Sequence, residues 1–218
     1  MLKGDATTLW RWLRRETLAA VPGLRGQAAF VAFCMAAAFA VGFAAPLVNP
    51  GLRIPLTHDT DAWVANFIGY YNLLGGEGTL VSLAVWQNSR VLLAGAFMSM
   101  FTFGVVGLIL AMAPLGILGF VFAQFVLSGV SPVVFLAAVA PHSLFEVPAV
   151  ILATAAAFRL GVVFIDPPKG KTVGAAWLHA LSDLVKTGVL VLGLLVVAGA
   201  VEVYVTPRLV QLVMAGLS

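Results

Sequence analysis

The residues between Arg90 and Glu146 carry no formal charge, and this long apolar run constrains the fold more than any other feature of the chain. As one straight helix it would be about 80 Å long, well over twice the roughly 30 Å thickness of a bilayer core. The run must therefore fold back on itself within a membrane. Near its end lie a histidine and a glutamate one helical turn apart, His142 and Glu146, a pair that is costly to place in lipid.

The composition independently indicates an integral membrane protein. Hydrophobic residues make up 61% of the sequence and charged residues 10%, against about 25% charged residues in a soluble domain. Apart from Trp10 and Trp12 beside Arg11, the 12 lysines and arginines show no interleaving with aromatic residues, and several lie at the ends of apolar segments. This pattern favours a positive-inside bias over nucleic-acid binding. We expect a single transmembrane domain over residues 1–218, with the lipid bilayer as its partner and no nucleic acid.

Apolar length and turn residues predict an all-α bundle of about five crossings with interfacial amphipathic helices. The expected crossings are residues 28–48, 86–113, 115–127, 133–164 and 184–205, followed by a short apolar tail. Residues 1–27 form an expected cytoplasmic basic segment, either a short interfacial helix or a solvated loop. Residues 49–85 form an expected external insertion. Its amphipathic helix would carry an apolar stripe made of Trp63, Phe67, Tyr70, Tyr71 and Leu74.

The third apolar segment is short enough to be either a crossing or a re-entrant loop, and the positive charges favour a crossing. With five crossings and an inner N-terminus, five N-terminal cations and four later ones share the inner face, nine of the twelve. A re-entrant segment would leave six cations on each side, which the positive-inside rule disfavours. We therefore expect a cell-membrane protein with a cytoplasmic N-terminus and an external C-terminus.

Five polar residues are expected to form one intramembrane cluster. His142 and Glu146 share a helix face, and counting about 1.5 Å per residue places them and Glu202 at one depth. Arg90 can reach toward that depth with its long side chain, and Asn88 lies beside it. Two interpretations carry equal weight. The cluster either binds an ion, a proton or a substrate, or it is a structural contact in which Arg90 and His142 neutralise the carboxylates.

The same region predicts an interruption of the fourth crossing, because Pro141 and Pro148 each remove a helical hydrogen bond. We expect a break or kink there. Pairs of small residues predict close helix contacts: Gly95 and Ser99, Gly104 and Gly107, Gly116 and Gly119, Gly188 and Gly193. An HxxxE pair alone is a weak metal signal and no HExxH motif is present, so we predict no metal, no cofactor and no catalytic residue.

Three motifs resemble a known family: WQNSR (86–90), PHSLFEVPA (141–149) followed by RLG (159–161), and EVYVTP (202–207). Together they are similar to the stage II sporulation protein M family over about residues 60–210. The chain departs from the family at Pro114-Leu115-Gly116, where Asn-Gly is more common. The resemblance implies a multi-pass protein of the bacterial inner membrane with no established enzymatic activity. Its motif positions are His142, Glu146, Pro148 and Glu202.

Three functions fit these expectations. The resemblance implies a non-enzymatic protein that assembles or anchors partners remodelling the cell envelope and its peptidoglycan. The polar cluster would suit a small channel or transporter for an ion, a proton or a solute. An intramembrane metalloprotease is the remaining alternative, in which His142, Glu146 and Glu202 would supply three ligands. The sequence is also compatible with a homo-oligomer.

Overall fold

The computed structural model describes residues 11, 15–54, 77–129 and 131–217. Short 3₁₀ turns at Val21–Leu24 and Pro50–Leu52 flank the first long helix. The main helices are α1 (Arg25–Val48), α2 (Glu77–Phe101), α3 (Val105–Leu127), α4 (Pro132–Val162), α5 (Val173–Tyr204) and α6 (Thr206–Leu217). No strand occurs in the described ranges, and the all-α prediction is confirmed.

Five helical segments of the described chain are long and apolar enough to cross a membrane, which confirms the predicted number. They are Arg15–Val48, Thr79–Phe101, Val105–Leu127, Pro132–Val162 and Val173–Gly216. Large apolar side chains cover the outer surface of the bundle; Phe33 on α1, for example, is 71% exposed. Such a surface suits a protein whose neighbours are lipid chains rather than water.

The predicted boundary between the second and third crossings is wrong. The chain reverses at residues 102–104, where Phe103 and Gly104 adopt positive φ angles of 52° and 89°. Gly104 tolerates this left-handed conformation because it has no Cβ. Pro114, expected to lie in the turn, is inside α3. Proline and glycine are tolerated within membrane helices, where neighbouring helices and local adjustments satisfy the freed backbone groups.

The position of this turn changes the lengths of the second and third crossings. The third crossing has 23 residues rather than the 13 of the predicted segment 115–127, so it is long enough for a full crossing. The helix of the second crossing begins at Glu77, and its apolar segment at Thr79, rather than near Trp86. Residues 77–85, predicted to belong to the external insertion, are therefore the first turns of α2. Two amphipathic helices are expected around residues 9–13 and 63–74. Except for Arg11, these residues lie outside the part of the chain that the structure describes.

The expected break in the fourth crossing does not occur. α4 continues from Pro132 to Val162 with both Pro141 and Pro148 inside it. Each proline removes one helical hydrogen bond, and in a membrane bundle neighbouring helices and local adjustments satisfy the freed backbone group, so the helix can continue. α4 also contacts all five other helices, and this packing holds it in place. The remaining possibility from the sequence, a bend near His142, stays a prediction.

The bundle consists of two closely packed helix pairs joined by α2. α1 packs mainly along α3, and α4 packs mainly along α5, while α2 contacts α3, α4 and α5. One core cluster joins the two pairs through Val31 and Met35 of α1, Ala111 of α3 and Ala155 of α4. The small side chain at each alanine lets the helices approach closely, as is usual in membrane bundles.

Glycines produce the closest helix contacts. A methyl group at Gly42 of α1 would overlap with the carbonyl oxygen of Gly116, and one at Gly119 would overlap with that of Phe39. The predicted contacts of Gly116 and Gly119 are therefore confirmed. A methyl group at Gly107 would likewise overlap with Ser99 Oγ.

Gly188 and Gly193 differ from these, because a Cβ built on either would meet no atom of the described residues within 4 Å. The close contact predicted for this pair is wrong. Both glycines are exposed on α5.

The predicted apolar tail is the helix α6. It packs against the beginning of α4, where Val210 is buried together with Val134 and Ala137. Val213 and Met214 pack on the same cluster. Their spacing of three and four residues places them on one side of α6, whereas Arg208 and Gln211 are exposed. α6 is therefore an amphipathic helix held on the surface of the bundle.

A polar cavity between the second, third and fourth helices

A cavity of about 380 Å³ lies between α2, α3 and α4. Most of its wall is apolar, and its polar lining includes Gln87 and Asn88 of α2 and His142, Ser143 and Glu146 of α4. Concave sites with apolar walls and a few convergent polar groups are typical ligand sites in proteins. This cavity is accordingly the candidate functional site.

One hydrogen bond joins two helices across the cavity. Asn88 Nδ2 donates to Glu146 Oε1 at 2.9 Å. His142 lies one turn before Glu146, and its Nδ1 is buried without a hydrogen-bond partner among the described residues. Glu146 takes part in none of the salt bridges found in the described chain. The cavity thus presents a carboxylate and a ring nitrogen that can accept hydrogen bonds from a ligand.

The antiparallel packing of α2 and α4 explains why Asn88 meets Glu146. Gly161, near the end of α4, packs against the main chain of the turn between α2 and α3. Counting from that level, Asn88 lies about 20 Å along α2 and Glu146 about 22 Å along α4. The two side chains therefore reach the same depth from a common reference point.

Two members of the predicted cluster lie elsewhere. Arg90 is exposed and does not line the cavity. It is two residues from Asn88, which turns it about 200° around the helix axis to the other side of α2. The salt bridges found within the described residues do not include Arg90, so its predicted pairing with Glu146 is not observed. Glu202 is half-buried on α5 and is likewise absent from the lining.

The sequence reasoning missed a charged cluster at the end of the bundle where α4 finishes. Arg159 Nη1 lies 3.0 Å from Asp183 Oδ2, and it also donates to the main-chain oxygen of Gly23 at 3.3 Å. His179 Nε2 lies 3.8 Å from the same carboxylate oxygen. We call Arg159, His179 and Asp183 the Arg159 cluster. His179 and Asp183 have the same four-residue spacing as His142 and Glu146, and this signal could have revealed them.

A buried glutamine at the opposite end was missed as well. Gln124 of α3 is only 3% exposed. Its Oε1 accepts a hydrogen bond from the main-chain nitrogen of Ile54, and its Nε2 donates to the main-chain oxygen of Leu52, both at 3.0 Å. Both ends of one amide side chain therefore hold the segment that follows α1. Buried polar groups with such complete pairing rigidify the structure around them.

The described residues contain no group of three or more histidine, cysteine or acidic side chains that could hold a metal ion. The triad of His142, Glu146 and Glu202 considered for a metalloprotease is therefore not assembled.

Five apolar helices, three of which enclose most of a partly polar cavity, define a multi-pass helical membrane protein. The model of the Stage II sporulation protein M family matches residues 29–207. The chain belongs to this family, as the three motifs indicated. Membership suggests a sporulation-related membrane protein, and the family is not known as enzymatic. No curated protein and no solved structure matches the chain.

Proposed function

We propose that this protein is a non-enzymatic membrane scaffold that assembles or anchors partners acting on the cell envelope and its peptidoglycan. The observation that carries the proposal is the buried Gln124, which fixes the main chain of Leu52 and Ile54. These residues lead directly into the polar insertion before α2. A scaffold needs such a fixed point, because an anchored segment loses less conformational freedom when a partner binds to it.

The amphipathic helix predicted from the sequence of the insertion would suit protein partners. Its predicted stripe of Trp63, Phe67, Tyr70, Tyr71 and Leu74 is rich in tryptophan and tyrosine. These residue types are enriched in protein interfaces because they combine a large apolar area with a polar group. The partners proposed here are membrane or envelope proteins, and a homo-oligomer would use the same kind of contact.

The scaffold is proposed to expose this insertion outside the cell, with the N-terminus in the cytoplasm. Arg25, Arg159, Lys169, Lys171 and Lys186 lie toward one end of the bundle, which supports a cytoplasmic position for that end. We expect a C-terminal alkaline phosphatase fusion to be active and a C-terminal green fluorescent protein fusion to be dark. The reverse pattern in intact cells would contradict the proposed orientation.

Site-specific crosslinking in native membranes tests the scaffold function. We expect a photo-crosslinker at position 70 to form discrete adducts with envelope proteins that bind or cleave peptidoglycan, identified by mass spectrometry. The matched control is a crosslinker at position 33, where the wild-type phenylalanine is 71% exposed on a helix face toward lipid. Gln124→Leu should reduce the adducts from position 70, since it releases two main-chain hydrogen bonds. Equal adducts from positions 70 and 33, or none, would contradict the proposal.

A channel or transporter is the second candidate, and the cavity beside Glu146 favours it. A polar cavity among membrane helices is a common location for a transported ion or solute. Movement of an ion or a solute across the membrane of liposomes that contain the purified protein would support this candidate over the scaffold.

A further inference from the structure

We infer that the cavity between α2, α3 and α4 binds a small organic primary amine, with its ammonium group between Glu146 and His142 and its apolar body against the surrounding aliphatic walls. This inference goes beyond the proposed scaffold function, because a scaffold requires partners but no small ligand. A ligand in this position would bridge α2 and α4, the two helices that Asn88 and Glu146 already join.

The charge of the lining favours a cation. Glu146 is the only acidic residue in the described lining, and the lining contains no lysine or arginine. A carboxylate among membrane helices is costly unless a partner compensates it. Asn88 supplies one hydrogen bond but no charge. A positively charged ligand would provide the missing compensation.

The hydrogen-bond geometry favours an ammonium group. A primary ammonium ion has three donors and no acceptor. Glu146 offers carboxylate oxygens, and the buried Nδ1 of His142 has no partner within the described chain. These two acceptors come from consecutive turns of α4, so one ammonium group can reach both.

The size and polarity of the cavity favour an organic molecule over a bare ion. Its volume of about 380 Å³ is many times the roughly 30 Å³ that one water occupies in the liquid. Leu92, Leu115, Val147 and Val150 are among its apolar wall residues. Such walls bind an apolar body and repel the hydration shell that a small inorganic cation retains.

Thermal unfolding of the purified full chain tests this inference with benzylammonium chloride as the probe. We expect a saturable rise of the unfolding midpoint with benzylammonium. Benzyl alcohol, which has the same size and shape without the charge, and potassium chloride at equal ionic strength should produce little change. An equal rise of the unfolding midpoint with benzyl alcohol would show that the cavity binds apolar molecules regardless of charge. An equal rise with potassium chloride would show a salt effect. Either result would overturn the inference, and so would the absence of any rise with benzylammonium.

Variants locate the binding site. Glu146→Gln should weaken benzylammonium binding by about thirtyfold or more, the effect typical of removing one partner of a buried charge pair. Glu202→Gln is the matched control, because it removes another carboxylate from the helices without touching the lining, and it should bind normally. Val150→Phe should block binding by filling the cavity while preserving every charge. Unchanged binding in both Glu146→Gln and Val150→Phe would place the amine elsewhere. Partner crosslinking can succeed or fail independently of these results.

Discussion

Arg159→Met should lower the free energy of unfolding by about 3 kcal/mol, because it removes the closest positive charge from the largely buried carboxylate of Asp183 and leaves only the longer contact with His179. The Asp183 side chain is 10% exposed, and the Arg159 side chain is 21% exposed, so water screens their interaction only in part. The substitution also removes the hydrogen bond to the main-chain oxygen of Gly23. That bond links α4 to the segment that precedes α1. Chemical unfolding in mixed micelles would measure the loss.

A double variant separates the ion pair from general packing. Arg159→Met combined with Asp183→Leu removes both charges, and it should recover at least half of the lost stability. Arg208→Met is the matched control for removing a cation, since Arg208 is exposed on α6, and its effect should stay within about 0.5 kcal/mol. If the double variant were as unstable as Arg159→Met alone, a stranded carboxylate could not be the cause.

The sequence was sufficient to predict the class of protein and the number of crossings, because both depend on apolar length and composition. It was insufficient to locate the turn between α2 and α3. Pro114 and Gly116 are stronger turn signals than Thr102, Phe103 and Gly104 in a water-soluble protein. In this bundle the helix tolerates Pro114, while Gly116 provides the close approach to α1. Packing between helices therefore determines whether Gly104, Pro114 and Gly116 lie in a turn or within a helix.

The sequence could group candidate site residues that lie on one helix, but it could not place residues from different helices relative to one another. Sequence spacing along one helix fixes which residues share a face, and His142 and Glu146 both line the cavity. Counting residues from a charged end fixes depth only, and depth alone added Arg90 and Glu202 to the cluster. Arg90 is close to Asn88 along the chain but lies on the other side of α2. The direction in which a residue points depends on how each helix is rotated, and this is set by contacts between helices.

The packing of Gly161 against the turn between α2 and α3 is one of the tight glycine contacts in the described part of the bundle, and we expect it to be sensitive to substitution. A Cβ added to Gly161 would lie 2.5 Å from the nitrogen of Gly104 and 2.5 Å from the main-chain oxygen of Ser99. It would also lie 2.7 Å from the carbonyl carbon of Phe103. All three atoms belong to the main chain, so no side-chain rotation can make room. Gly161→Ala must move α4 away from the turn.

We expect Gly161→Ala to reduce the free energy of unfolding by about 3 kcal/mol, the upper part of the range for overpacking. The contact also sets the position of α2 along α4, so the variant should weaken the hydrogen bond between Asn88 and Glu146. Gly193→Ala is the matched control, because an added Cβ there meets no atom of the described residues within 4 Å. It should be neutral or slightly stabilising, as expected for replacing glycine within a helix. If Gly161→Ala and Gly193→Ala were equally stable in the same micelle titration, the turn could move away from α4 at no cost in free energy. The contact at Gly161 would then not explain why Asn88 and Glu146 lie at the same depth.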